Sequence, residues 1–467
     1  MNQLHRVSLA LAFAMPAAAM AQSSSPSPDV DSLRREINAM RADYEARLQA
    51  LEQRVKAAEA AASAAAPPAA GEAPPTAAAS PPPTAAVASS AGAGANAFNP
   101  SLSLILSGAY INTSQDPANY AITGFPLPGN VSIGPGARNF SLGETELGFS
   151  ANIDPWLRGV ANIALEADNS VSIEEAYVQT TSLGNGLSVK GGRFFSNIGY
   201  LNPQHSHTWD FVDAPLSYQA MLGTQYINDG LQMSWVAPID QYVEFSAEVG
   251  GGNSYPGTKP SGNGAGMIAL ALHTGGDVGE SNNWRAGVSV LNAKASEQQL
   301  VSMNAAGFPV NDVFSGDTRV WIVDGVWKWA PNGNATRTNF KLQGEYLRSN
   351  RNGNLLYDVG SANAFGNYRV AQSGWYVQGI YQFMPNWRVG LRTERLDPGT
   401  PDFGPFSLAF LGNYRPSKNS VMVDFNPSEF SRIRLQFAQD KAQIGRTDNQ
   451  ISLQYQMSLG AHGAHSY

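Results

Sequence analysis

The chain has 467 residues, no cysteine and only 14% charged residues, which is few for a soluble globular protein. The absence of cysteine excludes a disulfide scaffold, an iron–sulfur cluster, a cysteine-ligated zinc site and a thiol nucleophile. Aromatic residues make up 10% of the chain, more than is typical of a disordered protein, and the net charge of −7 argues against nucleic acid as a partner.

Residues 1–21 predict a signal peptide. Arg6 precedes a short apolar run over 7–15, and Ala19-Met20-Ala21 gives the small-x-small pattern of a cleavage site. A membrane anchor is the alternative, but the run is shorter than the roughly 20 apolar residues of a spanning helix. We therefore expect an exported mature chain.

Residues 29–60 predict a coiled coil. From Val30 to Ala58 apolar residues recur at steps of three and four, with one stutter at Tyr44. This seam favours a self-associating stalk over a single amphipathic helix that lies on another surface. Residues 61–97 are rich in Ala and Pro and predict a semi-extended linker.

Residues 98–467 change to a period of two, which predicts an all-β, 16-stranded antiparallel transmembrane β-barrel. In 430–441, for example, Ile433 and Leu435 alternate with Arg432 and Arg434. We count sixteen such segments, most of them 11–15 residues long, against the about 9–11 that a tilted strand needs to cross a bilayer. Barrels of 14 or 18 strands are the alternatives.

Tight turns at one end of the predicted strands alternate with long Gly-rich loops at the other, which is the plan of an outer-membrane barrel. The long loops are expected at 114–137, 197–225, 295–316, 351–370 and 399–416. Both termini fall on the turn side. The sequence therefore predicts the Gram-negative outer membrane, with the coiled coil in the periplasm.

If apolar residues face lipid, the alternate residues line the lumen, and their charges segregate. The predicted acidic wall is Glu144, Glu146, Glu166, Glu244 and Glu248, and the predicted basic wall is Arg388, Arg392, Arg432 and Arg434. Opposed walls of this kind create a transverse field that orients dipolar solutes and filters ions. The alternative is a set of mutually paired lumen charges with no role in selectivity.

The 197–225 segment is too apolar for an external loop, so we expect it to fold inward and constrict the lumen. The candidate constriction residues are His205, His207, Trp209, Asp210 and Asp213. Burial alone, or packing between subunits, would also explain the aromatic residues. His205 and His207 form an HxH pair that Asp210 could complete as a zinc site; hydrogen-bonded loop histidines are the favoured alternative.

No other cofactor is indicated, and nothing indicates an enzyme. A GxSxG motif is absent, and no Ser–His–acid grouping has supporting local sequence.

The segments SLGETELGFSANIDPW, IEEAYVQT and GGRFFSNIGYLN resemble porins of the phosphate-selective and DcaP-like type. That resemblance implies trimers of 16-stranded barrels, some with a periplasmic coiled coil. QHSHTWDFVDAPL and SLGAHGAHSY resemble more specifically an uncharacterised proteobacterial outer-membrane group, often described as TonB-dependent or zinc-regulated receptors. The chain departs from such receptors because it is too short for a plug plus 22 strands. It also departs from phosphate-selective pores because its lumen has an acidic wall.

Together these features predict a passive outer-membrane channel, a porin, for small hydrophilic solutes or ions. We expect contact with outer-membrane lipid and a homotrimer held through the coiled coil and the barrel walls. The first alternative is a zinc-associated uptake protein or receptor, and the second is a plugged structural barrel that tethers the envelope.

Overall fold

The computed structural model describes residues 100–143, 145–166, 170–258, 263–304, 307–404 and 414–460, and within them nearly all regular structure is β-strand. The predicted signal peptide (1–21), coiled coil (29–60) and linker (61–97) lie outside the described residues. No helix among the described residues is long and apolar enough to cross a membrane.

The strands are β1 (Ser101–Thr113), β2 (Asn139–Leu142), β3 (Thr145–Asn152), β4 (Leu157–Leu165), β5 (Val171–Thr180), β6 (Leu187–Phe195), β7 (Ile227–Val236), β8 (Tyr242–Gly250), β9 (Met267–Val278), β10 (Asn282–Met303), β11 (Pro309–Trp329), β12 (Asn339–Tyr357), β13 (Ala364–Met384), β14 (Trp387–Asp397), β15 (Ser417–Ser428), β16 (Ser431–Lys441) and β17 (Asp448–Gly460). The described residues also form one α-helix, α1 (Leu216–Leu222), and 3-10 turns at Pro117–Asn119, Ser206–Thr208 and Pro331–Gly333.

The strands close into one barrel. Each strand from β3 to β17 pairs antiparallel with its neighbours in the chain, and β1 pairs with β17 at one edge. At its other edge β1 pairs with both β2 and β3, which are two parts of one barrel strand interrupted at Gly143. Because β2 and β3 together occupy one strand position in the wall, the 17 strands make a 16-stranded barrel. The prediction of a closed 16-stranded antiparallel barrel is confirmed.

Alternation along the strands places apolar side chains on the outer surface. In β16, Ile433, Leu435 and Phe437 point outward and expose 38%, 51% and 45% of their surface, whereas Arg432 and Arg434 point inward and are buried. A continuous apolar exterior is unfavourable in water and favourable in lipid. Closure also pairs the strand edges, which lipid cannot hydrate. The barrel wall is therefore that of an outer-membrane protein.

Four strands, β10 to β13, are 19–22 residues long, well beyond the about 9–11 residues that cross a bilayer. The prediction of loops at 295–316 and 351–370 is therefore wrong over most of both segments, which continue the strand ladder as hairpins. Inward-facing Leu300 and Leu355 pack in the interior cluster of apolar side chains. This burial favours strand pairing over open loops in these segments.

The largest cluster of buried apolar side chains lies inside the barrel. It joins Phe125 of the loop after β1, Leu216 and Tyr218 of α1, and Tyr255 of the loop after β8 to inward side chains of β9–β14. Gln372 of β13 donates to the carbonyl oxygen of Gly124 at 2.7 Å, so the loop after β1 also reaches into the lumen. Loops from one end of the barrel thus fill much of its interior.

Candidate functional site: the lumen and its constriction loop

Residues 197–225, called the constriction loop after their predicted role, leave the wall after β6 and run through the lumen before β7. Its second half carries α1, in which every residue is buried. Pro215 precedes this helix, and Gly223 ends it in the left-handed conformation with φ of 67°, which a residue with a Cβ rarely adopts. The helix packs against β12, β13 and β14. The loop therefore reaches the wall opposite its own attachment.

The predicted basic wall holds the middle of this loop. Asp213 lies 2.9 Å from an Nη of Arg392 on β14 and 2.6 Å from Nζ of Lys418 on β15, and Gln436 donates to the same carboxylate at 2.9 Å. Burial alone would raise the pKa of Asp213, but the charges of Lys418 and Arg392 hold it well below its usual range. Asp213 is thus a buried, ionised anchor of the loop.

Asp210 forms a second anchor on the same side. Its carboxylate is 2.5 Å from Nζ of Lys341 and 3.6 Å from an Nη of Arg388, and Gln378 donates to it at 3.0 Å. Burial would raise the pKa of Asp210, but Lys341 and Arg388 lower it. The neighbouring Phe211 is buried in a cluster with Ile380 and Met422.

The remaining arginines of the basic wall bind backbone carbonyls of the loop. Arg432 donates to the carbonyl oxygen of His207 at 2.8 Å, and Arg434 donates to that of Trp209 at 2.9 Å. Trp209 is itself buried, and its indole N–H donates to the carbonyl oxygen of Gln204 at 3.0 Å. All four predicted basic-wall residues therefore contact the loop rather than free solvent.

The predicted acidic wall divides into residues that bind the loop and residues that do not. Glu248 accepts from the hydroxyl of Ser196 at 2.6 Å and the N–H of Asn197 at 2.7 Å, and Glu244 accepts from the amide side chain of Asn197 at 3.4 Å. Glu166 lies exposed at the end of β4, where Ser172 donates to it at 3.0 Å. Glu144 lies outside the described residues.

Glu146 lies beside both loop histidines. Its Oε2 is 3.1 Å from Nδ1 of His205 and 3.2 Å from Nδ1 of His207, and the two imidazole rings stack with centroids 5.4 Å apart. Asp210, the third ligand suggested by the sequence, is not in this group, because it pairs with Lys341 and Arg388.

A β-bulge brings two further carboxylates to His205. The ladder between β4 and β5 shifts between Asn162 and Ile163, so Glu174 has no partner of its own. Such an extra residue lets adjacent side chains turn to the same face. Glu174 Oε2 lies 3.3 Å from Nδ1 of His205, and Glu175 Oε2 lies 3.0 Å from its Nε2. Burial would lower the pKa of His205, but the nearby carboxylates of Glu146, Glu174 and Glu175 raise it well above its usual range.

Glu345 on β12 is a loop anchor that was not among the predicted site residues. It accepts from the backbone N–H groups of Tyr200 and Leu201 at 3.1 and 3.0 Å, and from the hydroxyls of Tyr218 and Tyr376 at 2.7 and 2.5 Å. Alternation places Glu345 inward, and this was the signal available in the sequence. Which loop atoms it binds follows only from the folded path of the loop.

Solvent reaches the lumen unevenly. On the side of β4–β10, some inward polar side chains, such as Glu248 and His273, are buried, but four keep part of their surface exposed: Asn162, Lys190, Glu244 and Arg285. On the side of β14–β16 the inward charges are almost wholly buried: Arg392 (3%), Lys418 (0%) and Arg434 (1%). Water therefore meets the loop mainly from the β4–β10 side.

No protein-family model matches the chain. A protein of Aquifex aeolicus (strain VF5), described only as uncharacterized, is 29% identical over 404 residues, which cover 79% of this chain and 80% of that one.

Solved structures similar to this chain are outer-membrane proteins. They include the channel DcaP of Acinetobacter baumannii (TM-score 0.45, 13% identity, 77% of this chain and 96% of that one) and the anion-selective porin from Comamonas acidovorans (0.47, 11%, 77% and 99%). OmpT of Vibrio cholerae in a trimer form is similar to the same degree (0.45, 11%, 77% and 99%). These similarities are distant, so the function has to be inferred from the residues of this chain.

Proposed function

We propose that the protein is a passive outer-membrane channel for small hydrophilic solutes or ions, narrowed by the constriction loop. The observation that carries this proposal is the division of the barrel into an apolar exterior and a charged, hydrogen-bonding interior. A sixteen-stranded barrel is wide enough to leave an aqueous channel, so this interior is suited to water and polar solutes.

The route for solutes runs between the loop and the β4–β10 side of the wall. Four inward polar side chains stay partly exposed there, whereas the β14–β16 side is closed by ion pairs with the loop. In this proposal the main role of the two charged walls is to hold the constriction loop in place. The basic wall forms ion pairs with Asp210 and Asp213, and the acidic wall binds the loop's N–H donors and histidines.

Conductance in a planar lipid bilayer tests the proposal. The full chain, refolded in detergent and checked for folding by its heat-modifiable migration on gels, should give discrete conductance steps. Heat-denatured protein is the control. Absence of conductance from folded wild-type protein, together with its absence from a variant with a released loop, would contradict the channel and favour the plugged structural barrel.

We also propose that the barrel forms a homotrimer. Support comes from the outer face of β3–β6, where a shallow apolar concavity of about 410 Å³ is lined largely by small side chains. Such a surface permits close packing against the barrel wall of a second subunit. Its lining includes Phe149, Ala151, Ala161, Val178 and Gly191. Light scattering of the detergent-solubilised protein should give the mass of three chains, and Ala161→Arg should shift that mass to one.

A further inference from the structure

The donor atoms around His205 and His207 have the spacing of a metal site. Glu146 Oε2 lies 3.1 Å from Nδ1 of His205 and 3.2 Å from Nδ1 of His207. Tetrahedral Zn²⁺ with ligand bonds of about 2.0–2.1 Å holds its ligands about 3.4 Å apart. Among the described residues, one group of three or more His, Asp or Glu side chains has ligand atoms that all lie within 4.8 Å of one another. It consists of Glu146, His205 and His207.

The atoms around this group are arranged as metal sites require. Oε2 of Glu146 is buried and receives no hydrogen bond of acceptable geometry, although two imidazole nitrogens lie close to it. Ligands of a metal ion normally face a common point rather than each other. The carboxylate of Glu175, 3.0 Å from Nε2 of His205, is placed to accept that N–H and leave Nδ1 free to bind a metal.

The loop segment that carries the histidines is also held by β16 and β6. Arg432 binds the carbonyl oxygen of His207, and Phe195 lies edge-on to the ring of His205 at 5.1 Å between centroids. The proposed ligands therefore come from two fixed elements: Glu146 from β3, and the two histidines from the loop.

We propose that Glu146, His205 and His207 bind one Zn²⁺ ion in the lumen. Imidazole and carboxylate together suit zinc, whereas magnesium and calcium prefer oxygen ligands alone. The ion would join the constriction loop to β3, on the side opposite the Asp210 and Asp213 anchors. It would thus fix the half of the loop that faces the open part of the lumen.

Zinc titration of the folded full chain tests this site. The protein carries a tag without histidine, is freed of metal with a chelator, and competes with a chromophoric chelator for Zn²⁺. We expect one tight Zn²⁺ per chain. Glu146→Gln and His207→Ala should each weaken binding by at least tenfold, and Glu175→Gln should weaken it by about 10–100-fold through its effect on His205.

Two controls separate this site from other histidines. His273→Gln removes a buried imidazole of β9 that lies outside the group, and should leave zinc affinity unchanged. His462→Ala with His465→Ala removes the histidines of the C-terminal tail, and should also leave the tight site intact.

Three results would overturn the proposal. They are no tight zinc binding by folded wild-type protein, unchanged affinity in folded Glu146→Gln and His207→Ala, or loss of binding in the tail variant alone. Substitution of Co²⁺ gives a second readout, because three protein ligands and one water molecule would give the intense visible bands of tetrahedral cobalt. The assay does not depend on conductance, so failure of the channel and failure of the metal site are read separately.

Discussion

Nζ of Lys418 lies 2.6 Å from the carboxylate of Asp213, and this ion pair joins β15 to the constriction loop across 205 residues of sequence. Both side chains are nearly or fully buried, at 0% and 10% exposure. Arg392 contacts the other oxygen of the same carboxylate. A buried ion pair of this kind contributes less than its Coulomb energy suggests, but removal of one partner is strongly destabilising.

Asp213→Asn should therefore release the loop. The substitution removes the negative charge that pairs with the buried Lys418 and Arg392. The loss of one partner of a buried ion pair typically lowers the free energy of unfolding by about 3–5 kcal/mol. We expect larger or more frequent conductance steps in bilayers than in wild type. Asp397→Asn is the matched control, because its pair with Arg415 is 43% and 53% exposed and such surface pairs contribute only about 0–1 kcal/mol. Equal conductance in the two variants would argue against loop anchoring by Asp213.

The same anchor predicts how the loop responds to acid. The pKa of Asp213 is lower in the folded state than in the unfolded chain, where it is about 3.9. The stability that ionised Asp213 contributes is thus fully present above that pKa. It is lost as the pH falls from about 4 towards the lowered native pKa. Wild-type conductance should stay constant from neutral pH to about 5 and change below about 4. Asp213→Asn should lack this component of the transition, and an identical acid response in both would contradict the assignment.

Glu345 predicts a second way to loosen the loop. Its carboxylate accepts two backbone N–H groups and two tyrosine hydroxyls, whereas a glutamine amide offers only one oxygen. Glu345→Gln should leave a buried donor unpaired, at a cost of about 1–3 kcal/mol. Limited proteolysis should cut the constriction loop faster in this variant. Glu429→Gln, an exposed change in the turn between β15 and β16, should show the wild-type rate.

The barrel could be predicted from the sequence because lipid and water impose a period of two on every strand. Ile433 and Arg434, for example, face lipid and lumen for the same reason, whatever their partners are. Strand ends were less predictable. The outer parts of β10–β13 pair as hairpins because loops inside the lumen cover their inner faces, and that burial is not encoded locally.

The arrangement of the site could be predicted only in part. The apolar character of 197–225 indicated an inward fold, but Asp213 and Lys418 are too distant in sequence for their pairing to be inferred. Alternation forbids adjacent Glu174 and Glu175 from sharing a face, and the bulge at Glu174 removes this restriction. Two consecutive carboxylates in a predicted strand are the signal by which such a bulge could have been suspected.

The outer surface of β16 tests whether the barrel sits in lipid as its apolar band indicates. Leu435 points outward near the middle of the strand and is 51% exposed, and its neighbours in register are Val423 and Leu453. Leu435→Arg should lower the free energy of unfolding from liposomes by about 2–4 kcal/mol, because arginine is most unfavourable at the midplane of a bilayer.

Phe430→Arg is the matched control for depth. Phe430 is similarly exposed, at 49%, but lies in the turn between β15 and β16, where the same substitution should cost about 0–1 kcal/mol. Urea titration of protein folded into liposomes measures both values. If the two arginines cost the same, position 435 does not lie deeper in lipid than the turn, and the assignment of this face to the membrane would be wrong.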